Sequence, residues 1–149
     1  MGRKPLLPPT YLFTAIVVMT LLHLLFPVTD VVPYPWQLLG CLPLLLGIVL
    51  NLIADQAFKK KHTTVKPFEE STVLITTGVF RLSRHPMYLG MVFILIGLAI
   101  LIGTLMPFLV IPVFVFLMDM AFVRTEERML ANKFADAWQE YQASVRRWI

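Results

Sequence analysis

Four apolar stretches, each close to the length that crosses a bilayer, divide this chain and restrict its fold more than any other feature. Roughly 20 helical residues cover about 30 Å of hydrocarbon, and residues 11–28, 36–57, 86–104 and 105–123 each approach that length. With 58% hydrophobic and 15% charged residues, the composition lies outside the soluble globular range. The expected class is all-α: an integral membrane bundle of four transmembrane helices. Between the first two runs, "TDVVPYP" cannot continue a helix, and its Tyr34, with Trp36 beyond it, suits a headgroup interface. Between the last two, "GTLMP" offers Gly103 as a helix stop and Pro107 in the next first turn, which predicts a tight helical hairpin.

The charges test that count. With four crossings Arg3, Lys4, Lys59, Lys60, Lys61, Lys66, Arg81, Arg84, Arg124, Arg128, Lys133, Arg146 and Arg147, all 13 Lys and Arg, fall on one side. The positive-inside rule makes that side cytoplasmic, together with both termini. The same distribution explains the net charge of +4 without nucleic acid: the cations sit between apolar runs, where they set topology and meet anionic lipid. The basic, apolar start has no small-x-small cleavage site after it and reads as an uncleaved first span, and Leu6 stands where myristoylation wants Ser or Thr. A lone Cys41 excludes an intramolecular disulfide, and His23, His62 and His85 lack metal-binding spacing, so no metal is expected.

The polar connector 58–85 carries "STVLITTG", β-branched enough for a strand, but a lone strand would leave an open edge, so an ordered loop is expected. Residues 126–144 place Met129, Leu130, Phe134, Ala137, Trp138 and Tyr141 at helical spacing, which predicts an amphipathic helix on the cytoplasmic side. There is no internal repeat, and residues 1–149 read as a single domain.

The segment "RLSRHPMYLG", 81–90, is where chemistry concentrates. Pro86 suits the first position of a helix and makes His85 its N-cap. The next N–H groups, with the helix dipole behind them and Arg81 and Arg84 nearby, form an anion site. His85, Tyr88 and Leu89 share one face. Through the hairpin, Glu126 and Glu127 of "VRTEERML" return to the level of His85, forty residues away in sequence. Residue types alone leave a plainer reading open: the arginines enforce topology, His85 caps a helix, Tyr88 anchors at the interface and the Glu pair complements a helix N-terminus. Asp119 inside the fourth span needs a partner or water. Asn51 and Asp55 share a face of the second span, with Lys59 within reach of Asp55, and His23 reads as a neutral core histidine.

Taken together, "TTGVFRLSRHPMYLG", an apolar hairpin and "EERMLANKFADAWQEYQASVRRWI" resemble the isoprenylcysteine carboxyl methyltransferase and phospholipid methyltransferase superfamily. The likeness covers about residues 58–149 and departs at Val79, Leu82 and Ala135, where Pro, a polar or aromatic residue, and Gly are more usual. It implies a membrane methyltransferase using S-adenosylmethionine, with a cofactor pocket made by Arg84, His85, Pro86, Tyr88, Gly90, Glu126 and Glu127. Of these, Arg84, His85 and Glu127 are the expected catalytic residues. The chemistry agrees: a helix N-terminus with Arg84 and His85 suits the cofactor carboxylate, Glu126 or Glu127 its ammonium or ribose, and Tyr88, Trp138 or Tyr141 its adenine or sulfonium.

The implied acceptor is lipophilic and enters from the membrane: a prenylcysteine-like carboxylate, a phospholipid amine or a thiol. A carboxylate or thiolate needs no general base, whereas an amine would call on a carboxylate or neutral His85. From a different class, a small transporter or lipid-binding scaffold would depend on Asp119. Partners are thus the acceptor and membrane lipids, with no nucleic acid; oligomeric state is not legible.

Overall fold

A computed structural model of the chain describes residues 7–62 and 72–149, and among these it is all-helical with no strand. Arg3, Lys4 and Lys66, three of the cations expected on the cytoplasmic side, lie outside the described residues, as does the middle of the connector.

Helix α1 (Pro8–Leu25) starts on two prolines, whose missing N–H groups would be unpaired in a first turn anyway. It therefore begins and ends three residues earlier than the 11–28 expected. A 3-10 turn, Trp36–Gly40, leads into α2 (Cys41–Lys60). A second, Gly78–Arg81, precedes α3 (Pro86–Ile102). Gly103, at φ +79, closes α3 in a left-handed conformation, its N–H bonded to the Ala99 carbonyl. α4 (Leu105–Met118) follows at once, so the tight hairpin is present.

The chain then runs through a π turn, Asp119–Val123, into α5 (Arg124–Ser144) without leaving the helix. Three helical stretches are long and apolar enough to cross a membrane: Pro8–Leu25, Trp36–Lys60 and the 40-residue run Leu105–Ser144, whose apolar part ends at Val123. α3 is apolar but, at 17 residues, shorter.

α3 is the hub: α2 packs along its length, while α1 and α4 pack on it and on each other. The α2–α3 contact is a seam of glycines seven residues apart on each side, a spacing that returns to the same helix face. Gly40 meets Gly97, where an added Cβ would lie 2.5 Å from the Gly97 carbonyl, and Gly47 meets Gly90 so closely that a Cβ would strike its carbonyl. Small residues let backbones approach, as membrane helix pairs require when no hydrophobic force drives them together.

At the Gly103 end, the loop between α1 and α2 lies across the hairpin turn. Val31 and Val32 donate to the Gly103 carbonyl at 2.8 and 3.0 Å, and Leu105 donates to Thr29. His23 sits within the last turn of α1, half-buried, its Nδ1 3.1 Å from the Thr104 hydroxyl. It ties α1 to the hairpin at that end rather than lying deep in the span.

Two cores result. One joins Met19, Tyr88, Leu95, Met118, Phe122 and Val123 from α1, α3, α4 and the π turn. The other joins Ala54, Ile75, Phe80, Trp138, Tyr141 and Val145, fixing α5 against the described part of the connector. In that part "TVLITT" forms no strand: Ile75 is buried in this second core, and Tyr141 donates to the Phe80 carbonyl at 2.7 Å.

Candidate active site

The Pro86 end of the bundle gathers most of the charge the sequence analysis singled out, and the bends that gather it have local causes. Ser83, fully buried, accepts the His85 N–H at 3.1 Å and donates to the Arg147 carbonyl at 3.0 Å. The Arg84 N–H reaches the Arg146 carbonyl. The segment before α3 is thus stitched to the segment after α5, and three consecutive side chains are aimed by that seam.

His85 occupies the N-cap position of α3 but makes no side-chain cap. Its ring lies between two carboxylates instead, Nδ1 3.4 Å from Glu126 and Nε2 3.3 Å from Glu127, and stacks on Tyr88 at 5.8 Å. Both ring nitrogens can donate only when the imidazole is protonated. Burial disfavours that charge, but the hydrogen bonds and negative charges of Glu126 and Glu127 prevail and raise the His85 pKa above 6.5.

Glu127 is the centre of the cluster. It accepts from Arg147 through Nε at 3.1 Å and Nη2 at 2.6 Å, the fork geometry that matches guanidinium to carboxylate. Arg84 Nη2 lies 3.3 Å away and His85 completes the shell. Burial pushes the Glu127 carboxyl up, but His85, Arg147 and Arg84 together hold it down at about 2. Glu126, nearer the surface, accepts from the Tyr88 hydroxyl. Asp119, on the π turn, accepts from Arg124 Nε at 2.7 Å and Arg147 Nη1 at 3.3 Å.

Arg84 differs from the other cations. Its side chain is 7% exposed and lies 5.6 Å over the Trp138 ring, yet Nε and Nη1 have no hydrogen-bond partner among the described residues. Buried donors of this kind are costly unless satisfied.

The structure therefore brings together Arg84, His85, Tyr88, Glu126 and Glu127, with Pro86 buried at the start of α3. It places Gly90 elsewhere, in the α2–α3 seam against Gly47 and Asn51. The aromatic walls are also reassigned: Trp138 and Tyr141 are buried core residues, the first carrying Arg84 and the second bonded to Phe80. Asp55 pairs with Lys59 at 2.6 Å, and Asn51 donates to the Gly47 carbonyl. Among the described residues no His, Cys, Asp or Glu cluster could hold a metal.

Sequence reasoning missed Ser83 and the pairing of Arg147 and Asp119. The one signal is the "VRRW" ending, which belongs to the family resemblance but does not by itself say which side chains Arg147 meets.

Residues 36–137 match the family model described as phospholipid methyltransferase. The chain belongs to the phospholipid methyltransferase family. Among curated proteins it is similar to the protein-S-isoprenylcysteine O-methyltransferase of Saccharomyces cerevisiae, 35% identical over 72% of this chain and 46% of that protein. The same-named protein of Schizosaccharomyces pombe is 26% identical over 62% of this chain and 38% of that protein. Among solved structures it resembles a eukaryotic intramembrane Ras methyltransferase, isoprenylcysteine carboxyl methyltransferase, with TM-score 0.67 and 25% identity. That likeness covers 95% of this chain and 51% of the other. The chain thus spans about half the length of the relatives it matches. Its apolar helices and these relatives make it an integral membrane protein.

Proposed function

We propose that this chain is a membrane methyltransferase that moves a methyl group from S-adenosylmethionine to a lipophilic acceptor. In this reading residues 1–149 are one domain, the four apolar runs all cross the bilayer, and the termini, the connector 58–85 and the amphipathic α5 lie on the cytoplasmic side. The observation that carries it is Arg84: two buried, unpartnered donors beside the N-terminus of α3, within a cluster whose carboxylates are already engaged.

The residues fit the cofactor. Its carboxylate is an acceptor for Arg84 Nε and Nη1, with the start of α3 at Pro86 adding its dipole. Glu126, held by Tyr88 and His85 and closer to the surface than Glu127, suits the cofactor ammonium. When bound, S-adenosylmethionine supplies an electrophilic methyl group on its sulfonium. The protein's part is alignment and exclusion of water, which can account for much of the rate of such a transfer.

Glu127, held at about 2 by His85, Arg147 and Arg84, is too weak a base to remove a proton from an ammonium, and both His85 ring nitrogens already face carboxylates. An acceptor that arrives ionised, a carboxylate or thiolate, therefore fits better than an amine. The relatives carry names that denote methyl transfer to isoprenylcysteine, which is consistent with a lipophilic carboxylate. The transporter reading loses its support, because Asp119 is engaged by Arg124 and Arg147 of its own chain.

Calorimetric titration of the detergent-purified chain with S-adenosylmethionine tests this. Saturable binding is expected, weakened about tenfold or more in Arg84→Ala by loss of a charged hydrogen-bonding group. Labelled methyl transfer should then favour a prenylcysteine carboxylate over phosphatidylethanolamine. No binding by folded protein would overturn the reading.

A further inference from the structure

Glu127 has neither oxygen to spare. Three groups from two parts of the chain face it, Arg84 and His85 from before α3 and Arg147 from beyond α5, and Asp119 of the π turn holds Arg147 in turn. Arg124 shares Asp119, and Glu126 shares His85. A carboxylate so enclosed is not itself a docking point for a soluble ligand. It can hold Arg84 and His85 in place, and its own position depends chiefly on Arg147, which supplies the shortest contact and both prongs of a fork.

Arg147 in turn has reasons to be where it is. Its carbonyl accepts from buried Ser83, the neighbouring Arg146 carbonyl accepts from the Arg84 N–H, Val145 is buried in the second core, and Trp148 packs against the first. The four residues 145–148 therefore touch both cores and the segment that leads into α3. Asp119 fixes the remaining Arg147 nitrogen.

We infer that residues 145–148 are a strap that builds the ligand site, with Arg147 the positioning residue for Glu127 and Asp119 the positioning residue for Arg147. The inference rests on the methyltransferase reading and adds to it: the strap anchors Arg84 through Nη2 on Glu127 and leaves Nε and Nη1, unpartnered among the described residues, for the ligand. It also gives Asp119 a role, inside the membrane domain, that needs no transported substrate. Lysine cannot replace Arg147, because a single ammonium cannot span both oxygens of Glu127 in the fork geometry.

The test is a cycle on the full chain in detergent, reading S-adenosylmethionine affinity and thermal unfolding for wild type, Arg147→Ala, Glu127→Gln and the double variant. Positioning through Glu127 predicts that Arg147→Ala weakens binding about tenfold and that the same change does almost nothing further in the Glu127→Gln background. Arg147→Lys should be nearly as weak, and added ethylguanidinium should restore part of the affinity of Arg147→Ala, since Arg147 is 36% exposed and reachable. Asp119→Asn should weaken binding about threefold. Should Arg147→Ala fail to fold, Arg147→Lys and Asp119→Asn carry the same cycle.

Equal losses in both backgrounds, or full affinity in Arg147→Lys, would overturn the strap while leaving cofactor binding intact. Absence of binding in the wild type would overturn the methyltransferase reading instead. The unfolding cycle would still decide whether Arg147 and Glu127 are coupled, and additive losses there would remove the strap as well.

Discussion

The contact along the length of α3 and the contact at its start are held by opposite physics. Along the α2 seam, Gly40, Gly47, Gly90 and Gly97 contribute by having no side chain, so that backbone meets backbone. At the Pro86 end, Arg84, His85, Glu126, Glu127, Asp119 and Arg147 contribute by charge, each paired with an opposite one. The seam is a matter of volume and indifferent to protons. The charged end is a matter of protonation and tolerates small shifts in shape. A membrane protein can bring its helices together the first way, but only the second provides a polar site at its surface.

The sharpest way to break the charged end is to remove its centre. Glu127→Gln leaves Arg84 and Arg147 facing an uncharged amide, and loss of one partner in a buried ion cluster costs about 3–5 kcal/mol. The wild type's own dependence on pH follows from the same group. With its folded pKa lowered to about 2, Glu127 contributes stability above about pH 4.5 that is lost as pH falls toward 2. His85, its pKa raised, contributes fully below pH 6.5 and loses that contribution as pH rises through its folded value. Thermal unfolding against pH should therefore show an acid limb that Glu127→Gln flattens.

Gly47→Val attacks the seam. Its Cβ would press on the Gly90 carbonyl and lie 2.8 Å from the Ile94 nitrogen, so overpacking should cost about 2–3 kcal/mol. The comparison is sharpened by the pH profile: this loss should be the same at every pH, and a loss that varied with pH would show that seam and charged end are not independent.

The smallest effect is a gain. Ala135 in α5 sits at φ 39, ψ −109, a conformation that suits glycine and strains any residue with a Cβ. Ala135→Gly should raise stability by about 1 kcal/mol, read as a higher unfolding temperature. It also touches neither region, so it should leave the contrast unchanged.

Much of this was legible from residue order. Pro86 and Gly103 mark the ends of α3 because one lacks an N–H and the other tolerates positive φ, and both work locally. The meeting of His85 with Glu126 and Glu127 followed from the length of a hairpin. What stayed hidden was non-local or depended on direction. Gly90 reads like part of a motif and serves a helix seam; Trp138 and Tyr141 read like cofactor walls and are core. Arg147 looked like one more basic residue, since nothing in sequence says that Ser83 would accept the chain bend and hold its carbonyl. Asp119 demanded a partner by its burial alone, but which arginine answered depended on the π turn.

That turn sets a bearing as well as a length. Each residue of an α-helix advances the chain by 1.5 Å and rotates it by about 100°, whereas a π turn accommodates an extra residue within the helix. Taking one residue out of 119–123 would close the wide turn to an ordinary helical one with Glu126 and Glu127 still directed toward His85. The same deletion in the regular helix to either side has no wide turn to absorb it: it would rotate everything beyond it by about 100°, and the side chains that face the site would become a different set.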